Sequence, residues 1–342
     1  MIEFAKVLRH SELLAPPAFE RDSQSIEYRQ DPLTGVRCRL NVRRARRPRQ
    51  GQEPADISQV IQKPSDCPFC PENIEQATPQ FTADLCPQGR IKRGQSCLFP
   101  NLFPFAEHHA TATLTHDHFL PLDGFHQQLL EDNLSAAAEY LAIVHRRDKA
   151  ARFPLYIWNH LPPSAASIVH PHVQILVERR PTAYQRRLLA ASGRYFRRTG
   201  SNYWQDLVAE ERRRGERYIG DNRSLSVIAC YAPQGNREVQ IIFKEASNLL
   251  DLDERQTSDF AEAVVKVLRG YHQMGASSLN LSTFSAAMGH RLEHYSLNAK
   301  IISRPALQPF YKNDAGFLER LHYEADIELE PEALARALRA HF

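Results

Sequence analysis

The chain has 342 residues, 42% of them hydrophobic and 24% charged, with a formal net charge of +3 at pH 7. That length accommodates two domains of ordinary size with a substantial apolar core, and the composition excludes a disordered or fibrous chain. The small net charge gives no basis for binding nucleic acid, and no apolar run reaches the length of a bilayer span, so neither a nucleic-acid partner nor a membrane is expected.

Residues 1–30 read as a charged leader, in which Glu3, Lys6 and Arg9 interrupt any apolar signal core; this predicts a cytoplasmic protein. Basic clusters stand at Arg43, Arg44, Arg46 and Arg47 and at Arg212, Arg213 and Arg214. Residues 48–66, rich in Gln, Pro and Asp, read as loop. Of the cysteines Cys38, Cys67, Cys70, Cys86, Cys97 and Cys230, only Cys67 and Cys70 form a tight pair, which in a cytoplasmic chain favours a metal or redox role over a disulfide framework.

From Ser96 an order of elements begins that later recurs. An apolar stretch with Asn101, Phe103 and Phe105 precedes an alternating run through Ala112 and Leu114 into His116, Asp117 and His118. A helix is predicted over 129–144, then strands over 155–159 and 169–178. The second half repeats this with strands over 225–232 and 239–243, a helix over 256–271 and strands over 278–284 and 295–303, which reads as an internal duplication. Between the halves a basic, helically patterned stretch predicts a connector. The division is therefore a leader (1–30), an N-terminal catalytic domain (31–182), a helical connector (183–220) and a C-terminal domain (221–342).

The chemistry concentrates in the stretch from Ser167 to Gln174. On a strand alternate residues share a face, so His170, His172 and Gln174 point one way while Pro171, Val173, Ile175 and Val177 point the other. A His-x-His alone is compatible with an exposed strand carrying incidental histidines. Cys67-Pro68-Phe69-Cys70 has the spacing of a zinc half-site, a spacing shared by redox pairs and structural turns, and a closed tetrahedral site needs two more ligands. His118 and His170 are the candidates, with His116 second choice because it shares a strand face with His118. If His170 is a ligand, the metal braces the segment that presents His172.

A neutral imidazole at His172 suits nucleophilic attack on phosphorus. Gln174 can hydrogen-bond a phosphoryl oxygen but cannot donate a proton as an imidazolium would, so the leaving group must be intrinsically good, as a sugar phosphate or pyrophosphate is and an alkoxide is not. Asn159 and the turn from Pro162 to Ser167 precede this segment. The turn's backbone N–H groups and the Ser167 hydroxyl can hold a diphosphate, or the turn can be an ordinary strand connection.

These residues resemble the galactose-1-phosphate uridylyltransferase family of the histidine triad superfamily. His170-Pro171-His172-Val173-Gln174 matches its His-Pro-His-x-Gln signature, whose second histidine is the nucleophile. Asp31-Pro32-Leu33-Thr34-Gly35 and Arg44-Ala45-Arg46-Arg47-Pro48 are similar to its N-terminal motifs, which implies that Arg44 and Arg47 contact the nucleotide diphosphate. The resemblance further implies zinc (Zn2+) at Cys67, Cys70, His118 and His170, nucleotide-pocket roles for Asn101 and Asn159, and a phosphate contact for Ser167. It covers about residues 26–180 closely. Two departures stand out. The glycine usual in the turn before the phosphate serine is Ala165, and the positions where some bacterial relatives bind iron carry Leu188, Ser285, Ser296 and Asn298, so no iron is expected.

The resulting expectation is an α+β fold of two histidine-triad-like repeats, each an antiparallel half-barrel sheet with helices, assembled as a homodimer. The expected enzyme moves a nucleoside monophosphate from a nucleotide sugar to a hexose 1-phosphate through a covalent His172 intermediate. A phosphorylase of ADP-glucose or diadenosine tetraphosphate using inorganic phosphate is the nearest alternative, and a non-catalytic zinc-stabilised nucleotide-binding protein is the other.

Overall fold

A computed structural model of the chain describes residues 2–46, 61–307 and 313–342. β1 (Lys6–Ala15) and β2 (Glu20–Gln30) form an antiparallel hairpin, and β3 (Arg37–Leu40) pairs with the end of β2. A single turn, α1 (Ile74–Ala77), follows the cysteine pair. β4 (Ile91–Arg93), β5 (Ser96–Pro100) and β6 (His108–Thr113) lead into the long helix α2 (Gln127–Arg147), then β7 (Phe153–His160) and β8 (His172–Glu178). The connector folds as α3 (Ala183–Thr199) and α4 (Tyr203–Arg214). After it come β9 (Tyr218–Asp221), β10 (Leu225–Ala229), β11 (Val239–Phe243), α5 (Glu254–Gln273), β12 (Ser278–Phe284) and β13 (Asn298–Arg304). α6 (Phe317–Leu321), β14 (Ala325–Ile327) and α7 (Pro331–Leu338) follow.

The architecture is α+β as expected; the large sheet is antiparallel, and the small one includes a parallel pair, β3 with β14. Ten strands form one sheet in the order β4-β5-β6-β8-β7-β12-β13-β11-β10-β9. Read from each edge inward, β4-β5-β6-β8-β7 and β9-β10-β11-β13-β12 are the same topology, so the two repeats meet edge to edge at β7 and β12. A four-stranded sheet, β1-β2-β3-β14, stands apart.

Alternation along the strands gives this large sheet two different faces. One buries α2 and α5 in a single core, where Leu134, Tyr140 and Val144 of α2 and Phe260, Val264 and Leu268 of α5 join Trp158, Val173, Ile175, Ile241 and Ile301. Helix α5 starts where Asp253 and Gln256 exchange side-chain and backbone hydrogen bonds, a capping box. The other face differs between the repeats. In the second, the connector helices cover it, with Leu188, Tyr203 and Trp204 packed against Ile228 and Ile242. In the first it carries Thr111, Thr113, His172 and Gln174, the residues that alternate with the core residues Ala112, Val173 and Ile175.

Several expectations change in detail. Residues 6–30 of the expected leader are the β1–β2 hairpin, paired at every position from Lys6↔Arg29 to Ala15↔Glu20. The strand expected from residue 169 begins at His172, since Pro171 has no N–H to give a ladder. The run toward His118 leaves the sheet after Thr113, so His116 and His118 share no strand face. The basic clusters are largely ion-paired: Arg43 with Asp22, Arg44 with Asp326, Arg212 with Asp221, and Arg213 and Arg214 with Glu210. Among the described residues no helix is long and apolar enough to cross a membrane.

One buried residue ties α2 to three strands. Asn133 donates to Ser96 Oγ at 3.1 Å and to the Thr113 carbonyl at 2.9 Å, and accepts from the Tyr156 hydroxyl at 2.7 Å. Asn133→Leu leaves the Tyr156 hydroxyl and the Thr113 carbonyl unpaired in the core, and is expected to lower unfolding free energy by about 2–4 kcal/mol in urea titrations.

Candidate functional site

Cys67, Cys70, His118 and His170 are all buried, and each offers one ligand atom within 4.8 Å of the others. Their convergence begins with a tight turn. The Cys70 N–H bonds the Cys67 carbonyl, and the Asn73 side chain donates to the carbonyls of Ser65 and Cys67, both at 2.9 Å. Cys70 Sγ then lies 3.6 Å from Nδ1 of His118 and 3.6 Å from Nδ1 of His170. A tetrahedral ion about 2.3 Å from sulfur and about 2.0 Å from nitrogen requires S···N separations close to ~3.6 Å. The donor set therefore fits a metal ion.

The electrostatics agree. Burial holds the His170 imidazole down to about 4 and the His118 imidazole below its ordinary value, so both rings are neutral, as ligands must be. Burial also pushes the Cys70 thiol up to about 12, a preference that a bound cation reverses. His170 Nε2 donates to the Thr115 carbonyl at 2.8 Å, which leaves Nδ1 with the lone pair that faces the cysteines. His116 is exposed. A second group of ligand types, Glu107, His108 and Asp148, already has its charge compensated by Arg179, which pairs with both carboxylates.

His172 follows His170 by two residues and opens β8. Its Nδ1 donates to the His170 carbonyl at 2.8 Å, so the lone pair resides on Nε2. Burial lowers its proton affinity and keeps it neutral at pH 7. The ring of Phe69, inside the cysteine turn, packs edge-on against His172 with centroids 5.1 Å apart. The turn that supplies two cysteines thus also clamps the imidazole. Neither Phe69 nor the Thr115 carbonyl was legible beforehand; a residue inside a C-x-x-C loop and a backbone acceptor leave no compositional mark.

The remaining site residues spread out around this centre. Gln174 shares a face of the sheet with His172, and its Oε1 accepts from Nε2 of His109 at 2.8 Å. His109 is a residue whose role the sequence leaves open. Its alternation with Thr111 puts both on one strand face, while the pairing of that strand with β8 is seen in the sheet alone. Asn101 donates to Thr111 Oγ1 at 3.0 Å, and Thr111 is the ladder partner of Gln174. Asn159 accepts at Oδ1 from Asn280 across the β7–β12 seam at 2.7 Å. Ser167 is exposed in the preceding loop.

That loop corrects one reading. The N–H groups of Ser164, Ala165 and Ala166 turn onto the carbonyls of Leu161 and Pro162, so these three do not face outward to receive a diphosphate. Ala165 sits at φ +71° and Leu161 at φ +70°, a left-handed backbone that costs a residue with a Cβ. Arg44 is joined to Asp326 on the four-stranded sheet, not to the cysteine–histidine centre, and Arg47 lies outside the described residues. Leu188, on α3, and Ser285, Ser296 and Asn298, in the second repeat, are buried. There Ser285 Oγ accepts from the Leu249 N–H, Ser296 Oγ from Asn202, and Asn298 Oδ1 from Gln240.

The fold is shared with solved structures of the uridylyltransferase type. ADP-glucose phosphorylase from Arabidopsis thaliana, solved with bound ADP-glucose, superposes with a TM-score of 0.73 at 18% identity, covering 92% of this chain and 98% of that one. A uridylyltransferase structure gives 0.69 at 19% identity, covering 92% and 97%. No family model matches the chain. An uncharacterized protein of Archaeoglobus fulgidus is 30% identical over 341 residues, covering 99% of this chain and 98% of that protein, and the chain belongs to one family with it.

The cluster predicts about one tightly held divalent ion per chain in elemental analysis of purified protein. Cys70→Ser should lose it, whereas Cys97→Ser, at a buried thiol outside the cluster, should retain it.

Proposed function

We propose that the protein is a nucleotidyltransferase that carries a nucleoside monophosphate on His172. The observation that supports this best is the hydrogen bond from His172 Nδ1 to the His170 carbonyl, which leaves a neutral Nε2 as nucleophile beside a Cys2His2 cluster. Nε2 attacks the α-phosphorus of a nucleotide sugar, the bond from that phosphorus to the bridging oxygen breaks, and the sugar phosphate leaves with the electron pair. The Nδ1–H stays on the His170 carbonyl, an acceptor that favours the positive charge of a phosphorylated imidazole. A hexose 1-phosphate then takes the nucleotide in the reverse of the same step.

Gln174 and Ser167 hold the phosphoryl oxygens. Asn101 and Asn159 line the nucleotide pocket; the family resemblance supports Arg44 and Arg47 as the residues that neutralise the diphosphate, a role that requires Arg44 to leave its ion pair with Asp326. The metal is zinc, which suits two thiolates and two imidazoles, and its part is structural: a closed four-ligand site leaves no position for substrate. We keep the division at 31–182, 183–220 and 221–342; the repeated strand order supports two halves about the connector helices, with β9 of the second half starting at Tyr218. All six cysteines are free, which supports a reducing compartment such as the cytoplasm.

The test is incubation with labelled UDP-glucose or ADP-glucose, denaturation, and mapping of acid-labile label. The label is expected on His172, absent from His172→Ala, and discharged by hexose 1-phosphate. Discharge by inorganic phosphate alone would move the protein to the phosphorylases. Absence of label with every nucleotide sugar would leave a binding protein.

We further propose a homodimer built on the β1–β2 arm. Beyond the residues of β2 that pair with β3 the arm is a two-stranded ribbon, which is marginal in water, yet it exposes Val7, Leu8, Leu13, Leu14 and Phe19, the last two at 63% and 65%. Sedimentation equilibrium should give a dimer, and Leu14→Glu with Phe19→Glu should convert it to a monomer that keeps its metal. A wild-type monomer at tens of micromolar would refute the assignment.

A further inference from the structure

On the face of the first repeat that carries His172, a chain of hydrogen bonds runs from the Phe105 N–H through His109 to Gln174. The Phe105 N–H donates to His109 Nδ1 at 3.4 Å, so this nitrogen carries the lone pair and the ring proton resides on Nε2. Nε2 then donates to Gln174 Oε1 at 2.8 Å. The Phe105 ring lies against the imidazole with centroids 4.3 Å apart, which holds the ring plane. His109 itself is buried within the sheet.

The consequence concerns which end of an amide faces the substrate. A glutamine amide presents either an oxygen or an NH2 after a half-turn, and the two are nearly equal in size. Toward a phosphoryl oxygen the NH2 attracts and the carbonyl repels. With Oε1 occupied by His109, the Gln174 NH2 is the end left to offer.

We propose that His109 is a positioning residue that fixes the Gln174 amide in its donor orientation for the phosphoryl group in flight. This inference rests on the nucleotidyl-transfer reading given above. His109 does not touch the reacting phosphorus in this scheme; it acts through Gln174. Its imidazole serves in the neutral form, consistent with the burial that lowers its proton affinity.

The discriminating experiment measures the first-order rate at which label enters His172 from saturating nucleotide sugar, together with the half-saturating concentration and the metal content. H109F, which keeps a ring against Phe105 but has no N–H, should slow labelling about 10–100-fold with half-saturation changed less than about threefold. H109L is made alongside, so that a failure of either to fold leaves the other. H109Q, which places an N–H near the former Nε2, should recover to within about threefold of wild type. In a Q174A background H109F should have no further effect, because its partner is gone. Labelling of H109F and H109L at the wild-type rate, additive losses in the double variant, or H109Q as slow as H109F would each overturn the positioning role alone. A wild-type protein that takes no label removes the nucleotidyl-transfer reading and, with it, this inference.

Discussion

His170 is asked to do two things at once, and the site is organised around that double use. Its side chain faces Cys70 through Nδ1 while Nε2 is tied to the Thr115 carbonyl, and its own backbone carbonyl receives the Nδ1–H of His172. A rotation of this one residue would therefore disturb the cluster and free the neighbouring imidazole to change tautomer. Phe69 closes the arrangement from the other side, since it rides on the cysteine turn and packs on His172. A metal ion held by these four ligands would lock both contacts without needing to meet a substrate.

The repeat explains where such a site can exist. Both halves build the same five-strand order and bury the same face under a long helix. The opposite face of the second half is sealed by the connector helices, and its buried polar residues satisfy one another: Gln240 with Asn298, Gln185 with Tyr295, and Lys300 with Glu238. Among the described residues the connector helices do not pack on the corresponding strands of the first half, where Phe69 of the cysteine turn lies against His172 instead. A duplicated scaffold thus supplies one face for stability and one for chemistry, with the seam at Asn159 and Asn280 joining them.

How much of this could be read beforehand follows from the range of the interactions involved. The helix over 129–144 and the strands over 239–243 and 278–284 were legible because their patterns are local, and the structure places elements at or close to those bounds. The cysteine–histidine set was legible because ligand types are few and their spacing is characteristic. The β1–β2 arm was read as a leader because Ser11, Arg21, Asp22 and Ser23 dilute any apolar alternation, and a ribbon exposed on both faces has no inward side to reveal. The register that puts His109 beside Gln174 was invisible for another reason. It depends on which strands become neighbours, and that is settled by the whole sheet.

The groups gathered around His172 on this face of the sheet share one property, which is that they are uncharged. His172 and His109 are held neutral by burial, and Gln174, Asn101, Asn159 and Thr111 have no charge to lose. A carboxylic acid or an imidazolium here would offer a proton to the leaving oxygen and protonate or compete with the nucleophile. Neutral donors instead can stabilise the phosphoryl oxygens without moving a proton, which is useful only when the bond broken and the bond formed are alike. Under the proposed function both are phosphoanhydride bonds whose leaving groups are sugar phosphates of similar leaving ability, so the covalent state lies between two nearly equivalent exchanges. The choice of an amide at Gln174, with its carbonyl oxygen held by a neutral imidazole, is thus a choice of reaction class as well as of geometry.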